Sequence, residues 1–436
     1  MDSGDLLDLD ITGVAHGGVF VARHEGRVVF VPDAIPGERV RARLTDTSKS
    51  SFWRAETIEV RDASPHRRAH VWRQADVDTP PELRPGGADF GHIDLAHQRE
   101  LKLDVLSDAL RRFAGLELPV AIRAAGADGA DPETDDGTGW RTRVSLHVDD
   151  DGRVGPYAAR SHRVIPVDEL PLATAAVAQA ARQLAQGAAG RIDLVQPADG
   201  RVRVVPRPET VRAGSRRRGR TPAPGAPVRN DPAREVVVET VAGRDFHVDA
   251  GGFWQVHRLA AASLTDLVAR TLEDAVDPDA WHLDLYGGVG LFAATLASLG
   301  GPSTRVTSVE SDTRATDHAG ENLAEWIGAR AETARVDRWI TQLGGAASAV
   351  ERERLARGVV LLDPPRAGAG RAVVEGIAAL APATVVYVAC DPVALARDLG
   401  TFRAVGYETR SVEALDLFPN SHHVEAVATL TRVESP

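Results

Sequence analysis

The sequence predicts an α/β protein whose C-terminal part is a doubly wound, mostly parallel sheet, preceded by a small β-barrel and a middle α+β segment. Three observations carry this. From about Gly251 onward, strand-like runs alternate with helix-like runs, which is how a parallel sheet with crossover helices reads. Residues 1 to 61 instead show short apolar/polar alternation broken by Gly and Pro. Between them, helical and hairpin patterns mix without a repeating order.

The bulk properties set limits on function. A length of 436 residues allows two or three domains with packed cores. No apolar run approaches the length of a membrane span, and MDSGDLLDLD lacks the basic start of a signal peptide, so a cytoplasmic protein is expected. The single cysteine, Cys390, excludes an intramolecular disulfide and a multi-thiolate metal site. A net charge of −11 argues against indiscriminate coating of nucleic acid but leaves room for a local basic groove.

The first unit contains GGVFVARHEGRVVFVPDAIPGERVRARL, the pattern of a five-stranded OB-like barrel, a fold that often binds oligonucleotides. Arg39, Arg41 and Arg43 alternate and so share one strand face. With Lys49, Phe52, Trp53 and Arg54 they could form a single-strand RNA surface, or simply a solvated face around a partly buried Trp. Residues 62 to 250 form the expected middle segment. HQRELKLDVLSDALRRFAG predicts an amphipathic helix ending at Gly115. The acidic stretch GADGADPETDDGTG reads as a loop, and RTRVSLHVDDDGRVGPY as a hairpin with a DG turn. RAGSRRRGRTPAPGAP, with its basic run Arg212 to Arg220, reads as a surface loop that could also meet RNA phosphates.

The chemistry concentrates in residues 251 to 436. LDLYGGVGLFAATLA is a strand, a Gly-rich turn and a helix, and the next strand, TSVES, ends at Glu310. A carboxylate there can accept hydrogen bonds from a ribose diol, and the absence of GxGxxG spacing favours S-adenosylmethionine over a dinucleotide. DPPR at Asp363–Arg366 ends another strand with a stiff loop at the carboxyl edge. VVYVACD puts Cys390 at the same edge, before a helix whose N-terminus would favour a thiolate. Carbon 5 of uracil is too weak a nucleophile to take a methyl group unaided. A thiolate on carbon 6 activates it, and a base must later remove the carbon 5 proton. Glu425, in HVE, is the candidate base, with His422 and His423 next to it.

Together YVACDPVALARDL, DPPRAG, DLYGGVGLF, GGFWQVH and DLFPNSHHVE resemble the RNA 5-methyluridine methyltransferase family, over nearly the whole chain. The resemblance implies a Rossmann-like seven-stranded methyltransferase domain over residues 251–436, and a TRAM barrel over residues 1–61. It implies Cys390 as nucleophile and Glu425 as proton acceptor. It implies that Gln255, Tyr286, Glu310 and Asp363 contact S-adenosylmethionine, with Asp337 near the adenine. The TRAM barrel points to 23S ribosomal RNA as substrate, with transfer RNA as the alternative, and to a monomer. A non-catalytic RNA-binding assembly factor is the alternative of another class. Two departures stand out. RPGGADFGHI lacks the iron–sulfur cysteines of many relatives, so no cluster is expected, and His257 stands where the family has Asn.

Overall fold

The computed structural model describes all residues except 127–132, 185, 187–188, 209–230, 274 and 434–436. The basic run Arg212 to Arg220 and part of the acidic loop therefore lie outside the described residues. The N-terminal unit is a closed barrel of β1 (Leu6–Ala15), β2 (Val19–His24), β3 (Arg27–Val31), β4 (Arg39–Asp46) and β5 (Phe52–Asp62), in the order β1-β2-β3-β5-β4. Strict alternation fills its interior with Leu9, Phe20, Val29, Val40 and Leu44.

The arginine stripe on β4 is not a free basic face. Asp10 and Asp62 pair across from Arg39, Asp8 and Glu59 across from Arg41, and Glu56 across from Arg43. Arg43 Nε meets Glu56 Oε1 at 2.6 Å. Trp53 is buried, with the Arg27 guanidinium 4.6 Å from its ring centre, so it is not presented for base stacking.

The middle segment opens with α1 (Leu95–Ala109), capped by Asp94 and extended by a π-turn to Gly115, whose φ of 63° ends the helix as expected. After β6 (Ala121–Ala124) come β7 (Arg143–Val148), β8 (Val154–Gly155), α2 (Ala175–Arg182), β9 (Gly190–Val195) and β10 (Arg203–Pro208). Strands β7 to β10 form a four-stranded antiparallel sheet, and β11 (Val236–Val241) pairs antiparallel with β12 (Arg244–Asp249).

The C-terminal part carries α3 (Ala260–Leu272), β13 (Trp281–Leu285), α4 (Leu291–Gly300), β14 (Arg305–Glu310), α5 (Thr313–Asn322) and β15 (Ala329–Thr333). It continues through α6 (Val336–Ala346), α7 (Ala349–Arg357), β16 (Val359–Leu362), α8 (Arg371–Leu380), β17 (Thr384–Ala389), α9 (Pro392–Ala404), β18 (Tyr407–Asp416) and β19 (Glu425–Arg432). The sheet order is β15-β14-β13-β16-β17-β19-β18-β6. The doubly wound expectation holds, with β19 antiparallel to both neighbours. One strand was not foreseen: β6, from the middle segment, joins in parallel beside β18 and makes the sheet eight-stranded. A four-residue strand with mixed burial carries too little alternation to be read from sequence. Central strands buried on both faces, such as VVLL of β16, explain the two apolar cores on either side of the sheet. Among the described residues no helix is long and apolar enough to cross a membrane.

Helix α1 ties the middle segment to this sheet through charge. Lys102 is fully buried, and its Nζ donates to Asp416 Oδ1 at 2.5 Å and to the Phe418 carbonyl at 3.0 Å. Desolvation pulls the ammonium down, while Asp416 opposes it. Lys102→Ala strands most of the Asp416 charge, leaving only Arg99 at 3.2 Å. The expected cost is about 3 kcal/mol, read as a thermal unfolding midpoint several degrees below that of the parent chain.

Candidate active site

At the carboxyl edge of the parallel strands lies a cavity of about 1190 Å³. Gln255, Tyr286, Glu310, Asp363, Cys390 and Glu425 all line it. Six residues spread over 170 positions of sequence thus share one space, because each ends, follows or begins a strand at that edge or lies on the loop before α3.

The Gly-rich turn is shaped from below. A Cβ on Gly287 would lie 2.0 Å from Ser308 Oγ and 2.5 Å from Asp284 Oδ2, so only Gly fits there. Asp284 lies under the turn and does not line the cavity. Its Oδ2 accepts from Ser308 Oγ at 3.0 Å and from the Ala293 amide at 3.1 Å. Burial pushes its carboxyl up to about 7. Glu310 is aimed by backbone: Oε1 accepts from the Ser311 and Asp312 amides at 2.6 and 2.8 Å, and Oε2 from the Gly288 amide at 3.3 Å. Tyr286 leaves β13 with a φ of 63°, which turns its ring into the cavity wall. Asp337 is not brought in. It stands exposed in the first turn of α6, paired with Arg335 at 2.9 Å. It acts on the site only through its charge, which adds to the burial that pushes the Tyr286 hydroxyl up to about 12.

Cys390 and Glu425 meet because β17 and β19 are antiparallel neighbours. Ala389 pairs with Ala426, and the next step of that register sets Cys390 across from Glu425. Sequence reasoning expected a thiol lowered by the start of α9. The structure shows the reverse. The Val393 and Ala394 amides donate to Asp391, at 3.0 and 2.8 Å, rather than to sulfur. Burial, then the Glu425 charge, pushes the thiol up to about 11. Burial likewise raises the Glu425 carboxyl well above the usual range, with Asp363 adding to it and Arg366 opposing it. Asp363 is pushed up to about 7 by burial and by Asp284.

Three residues left open by the sequence find their places. His257 stacks on Trp140 with ring centres 5.4 Å apart, and its Nδ1 accepts from the Leu259 amide at 3.0 Å. Burial lowers it to about 4, so it is a neutral turn-setting group. His423 Nε2 lies 3.2 Å from Arg366 Nη2, and His422 Nδ1 donates to Asp89 Oδ2 at 2.5 Å. Asp89 carried no signal in the sequence, because its partner is 333 positions away.

The cavity brings Glu310, a carboxylate able to accept from a ribose diol, into one space with a thiol and a buried carboxyl. The family described as TRAM domain matches residues 3–56, and tRNA (Uracil-5-)-methyltransferase matches residues 241–433. A protein of Streptomyces avermitilis named as an RNA methyltransferase is 37% identical over 98% of both chains. The chain belongs to the RNA uracil-5-methyltransferase family. As such it is an S-adenosylmethionine-dependent RNA uracil-C5 methyltransferase with a TRAM barrel at its N-terminus. The 23S rRNA (uracil(1939)-C(5))-methyltransferase RlmD of Halomonas elongata is 29% identical over 98% of this chain and 90% of that one. In fold, the methyltransferase is similar to the Pyrococcus abyssi tRNA (uracil-54, C5)-methyltransferase solved with S-adenosyl-L-homocysteine. The TM-score is 0.65, with 20% identity, over 98% of this chain and 100% of that one.

The raised thiol gives a direct test. Thiolate is the reactive form, so alkylation of Cys390 by iodoacetamide in the free methyltransferase should climb steadily with pH, with its midpoint near 11. Glu425→Gln removes an opposing negative charge and should move that midpoint down. Mass spectrometry of the alkylated peptide over a pH series reads both; a midpoint below 8 would overturn the electrostatic account.

Proposed function

We propose that the methyltransferase modifies one uridine of 23S ribosomal RNA through a covalent Cys390–carbon 6 adduct, with Glu425 as the proton acceptor. The observation that carries this is the pairing of the sole thiol with a buried carboxyl across adjacent strand ends, in the same cavity as Glu310 and Asp363. In this reading residues 1–61 are the RNA-binding barrel, 62–250 the middle domain and 251–436 the catalytic domain. The chain works as a monomer, in the cytoplasm. No iron–sulfur cluster takes part, since Cys390 is the only cysteine. The named activity of the Halomonas relative supports the ribosomal substrate. The barrel alone does not separate it from a transfer RNA, because a transfer RNA enzyme is similar in fold along 98% of the chain.

Gln255, Tyr286, Glu310 and Asp363 hold S-adenosylmethionine, with Asp337 outside the cavity adding a more distant charge near the adenine end. The bound cofactor supplies an electrophilic methyl group. The chain's own residues do the rest. Cys390 first loses its proton to solvent, and Arg366, which lies near enough to favour both thiolate and carboxylate, offsets part of the burial cost. The thiolate adds to carbon 6, and the electron pair moves onto the carbon 5–carbonyl system as an enolate. Carbon 5 takes the methyl group. Glu425, ionised at this stage, accepts the carbon 5 proton, the carbon 5–carbon 6 double bond reforms, and the sulfur–carbon bond breaks to return the thiolate. A carboxyl raised by burial is a stronger base once ionised, which suits this step.

Glu425→Gln should therefore methylate but fail to eliminate. With RNA from a strain lacking this protein and labelled cofactor, a protein–RNA adduct that survives denaturation should accumulate. Cys390→Ser combined with Glu425→Gln should give none. Normal turnover by Glu425→Gln would move the base elsewhere. In the parent chain, the label should fall at one uridine of 23S ribosomal RNA. Label confined to transfer RNA would replace the substrate, and RNA binding without any label would leave a non-catalytic binder.

A further inference from the structure

The barrel reaches the end of the strand that carries the nucleophile. The turn between β1 and β2 shares the lining of one small cavity with Cys390, Asp391 and Pro392. His16 Nε2 lies 2.9 Å from Asp391 Oδ2, and Asp391 is the residue after Cys390. The other Asp391 oxygen accepts from the first amides of α9. Its carboxylate is thus gripped from two sides, by its own helix and by the barrel. The same bond raises the His16 imidazole, and it helps the α9 amides hold Asp391 low against its burial.

The turn also touches the opposite side of the site. Gly18, with a φ of 71°, approaches so closely that a Cβ there would lie 2.8 Å from His422 Nδ1. His422 is held by Asp89 and lies three residues before Glu425. Together with Cys390, Asp391 and His422, the turn encloses a second cavity of about 110 Å³ behind the thiol. His16 does not line the large cavity, so no step of the reaction as derived employs it.

The β17–β19 ladder stops at Ala389 and Ala426. Beyond it, Cys390 is placed by the segment that follows, and that segment is anchored through Asp391. We infer that His16 is a positioning residue supplied by the barrel, which fixes Cys390–Asp391 against the Glu425 end of β19. The inference rests on Cys390 being the nucleophile. It gives the barrel a second task, completing the catalytic geometry as well as meeting RNA. The competing account is that this turn serves RNA contact alone, since the His16 side chain is 46% exposed.

The same exposure means that His16→Ala removes no core packing, and Asp391 still caps α9. The test measures turnover and RNA affinity separately, with labelled S-adenosylmethionine and RNA from a strain lacking this protein. His16→Ala should lower kcat by on the order of tenfold, the scale expected when a reacting group is misplaced by less than an ångström. RNA affinity and the unfolding midpoint should stay unchanged. His16→Gln, whose amide can still donate to Asp391, should recover most of the loss. An unchanged kcat, a loss confined to RNA affinity, or a Gln variant no better than Ala would overturn the inference. Turnover is read here without reference to an adduct. Failure of the nucleophile assignment would show separately, as an active Cys390→Ser.

Discussion

Asn420 is the residue on which the geometry of the site depends. It sits fully buried with a φ of 66°, a region that Asn tolerates better than most residues. Every polar atom it has is used. Its side-chain oxygen accepts from Arg68 at 2.5 Å and Gln98 at 3.0 Å, and its amide nitrogen donates to the Asp136 and Gly137 carbonyls at 2.9 and 2.7 Å. Its backbone N–H donates to Gln98 Oε1 at 2.7 Å, and its carbonyl accepts from the Phe90 amide at 3.0 Å. Four stretches of chain therefore close on one point, five residues before Glu425. With Lys102 gripping Asp416 and the Phe418 carbonyl, the whole connection from β18 to β19 is fixed at both ends. Buried polar networks are stable only when fully satisfied, and this one is satisfied at its centre.

That rigidity matters because the reactive groups do not hold one another. The thiol of Cys390 and the carboxyls of Glu425 and Asp363 are all pushed toward their neutral forms by burial, and their charges oppose each other. Arg366 is the nearby cation that favours the charged forms of Cys390 and Glu425. Left to side-chain electrostatics, such a cluster would relax apart. It is the strand register, the satisfied loop at Asn420 and the anchored Asp391 that keep it together. Burial first, and the neighbouring negative charges after it, make each a strong base or nucleophile once it is ionised.

What the sequence made legible follows from range. Period-two alternation gave the barrel, and alternating strand and helix patterns gave the parallel sheet, because both are local. The site residues at strand ends, Glu310, Asp363, Cys390 and Glu425, were legible for the same reason: a strand's carboxyl edge is where ligands sit in such sheets. What failed was whatever depended on a distant partner. Arg39, Arg41 and Arg43 looked basic until the acids of β1 and β5 came across from them. The start of α9 looked able to stabilise a thiolate until Asp391 took its amides. Asp89 and His16 carry no local pattern at all, and Asn420, though inside DLFPNSHHVE, gave no hint of its role, since each acts through residues more than 280 positions away.

The stretch RPGGADFGHI joins the barrel to the connection between β18 and β19 by hydrogen bonds and packing alone among its described contacts. Arg84 is buried and turns to the barrel side, donating to Asp33 Oδ2 at 2.8 Å and to the Thr57, Val77 and Thr79 carbonyls at 3.0, 2.7 and 2.8 Å. Phe90 packs its ring 5.7 Å from Phe20 inside the barrel, and His92 bonds the Ala34 carbonyl at 3.1 Å. From the opposite side, Asp89 and the Phe90 amide grip His422 and Asn420. The junction is spread over neutral and charge-assisted hydrogen bonds between the barrel, this stretch and the connection from β18 to β19, each contributing on the order of 1 kcal/mol. A distributed junction of that kind fails gradually, and it leaves the barrel linked to this stretch through Arg84 and to Asp391, beside Cys390, through His16.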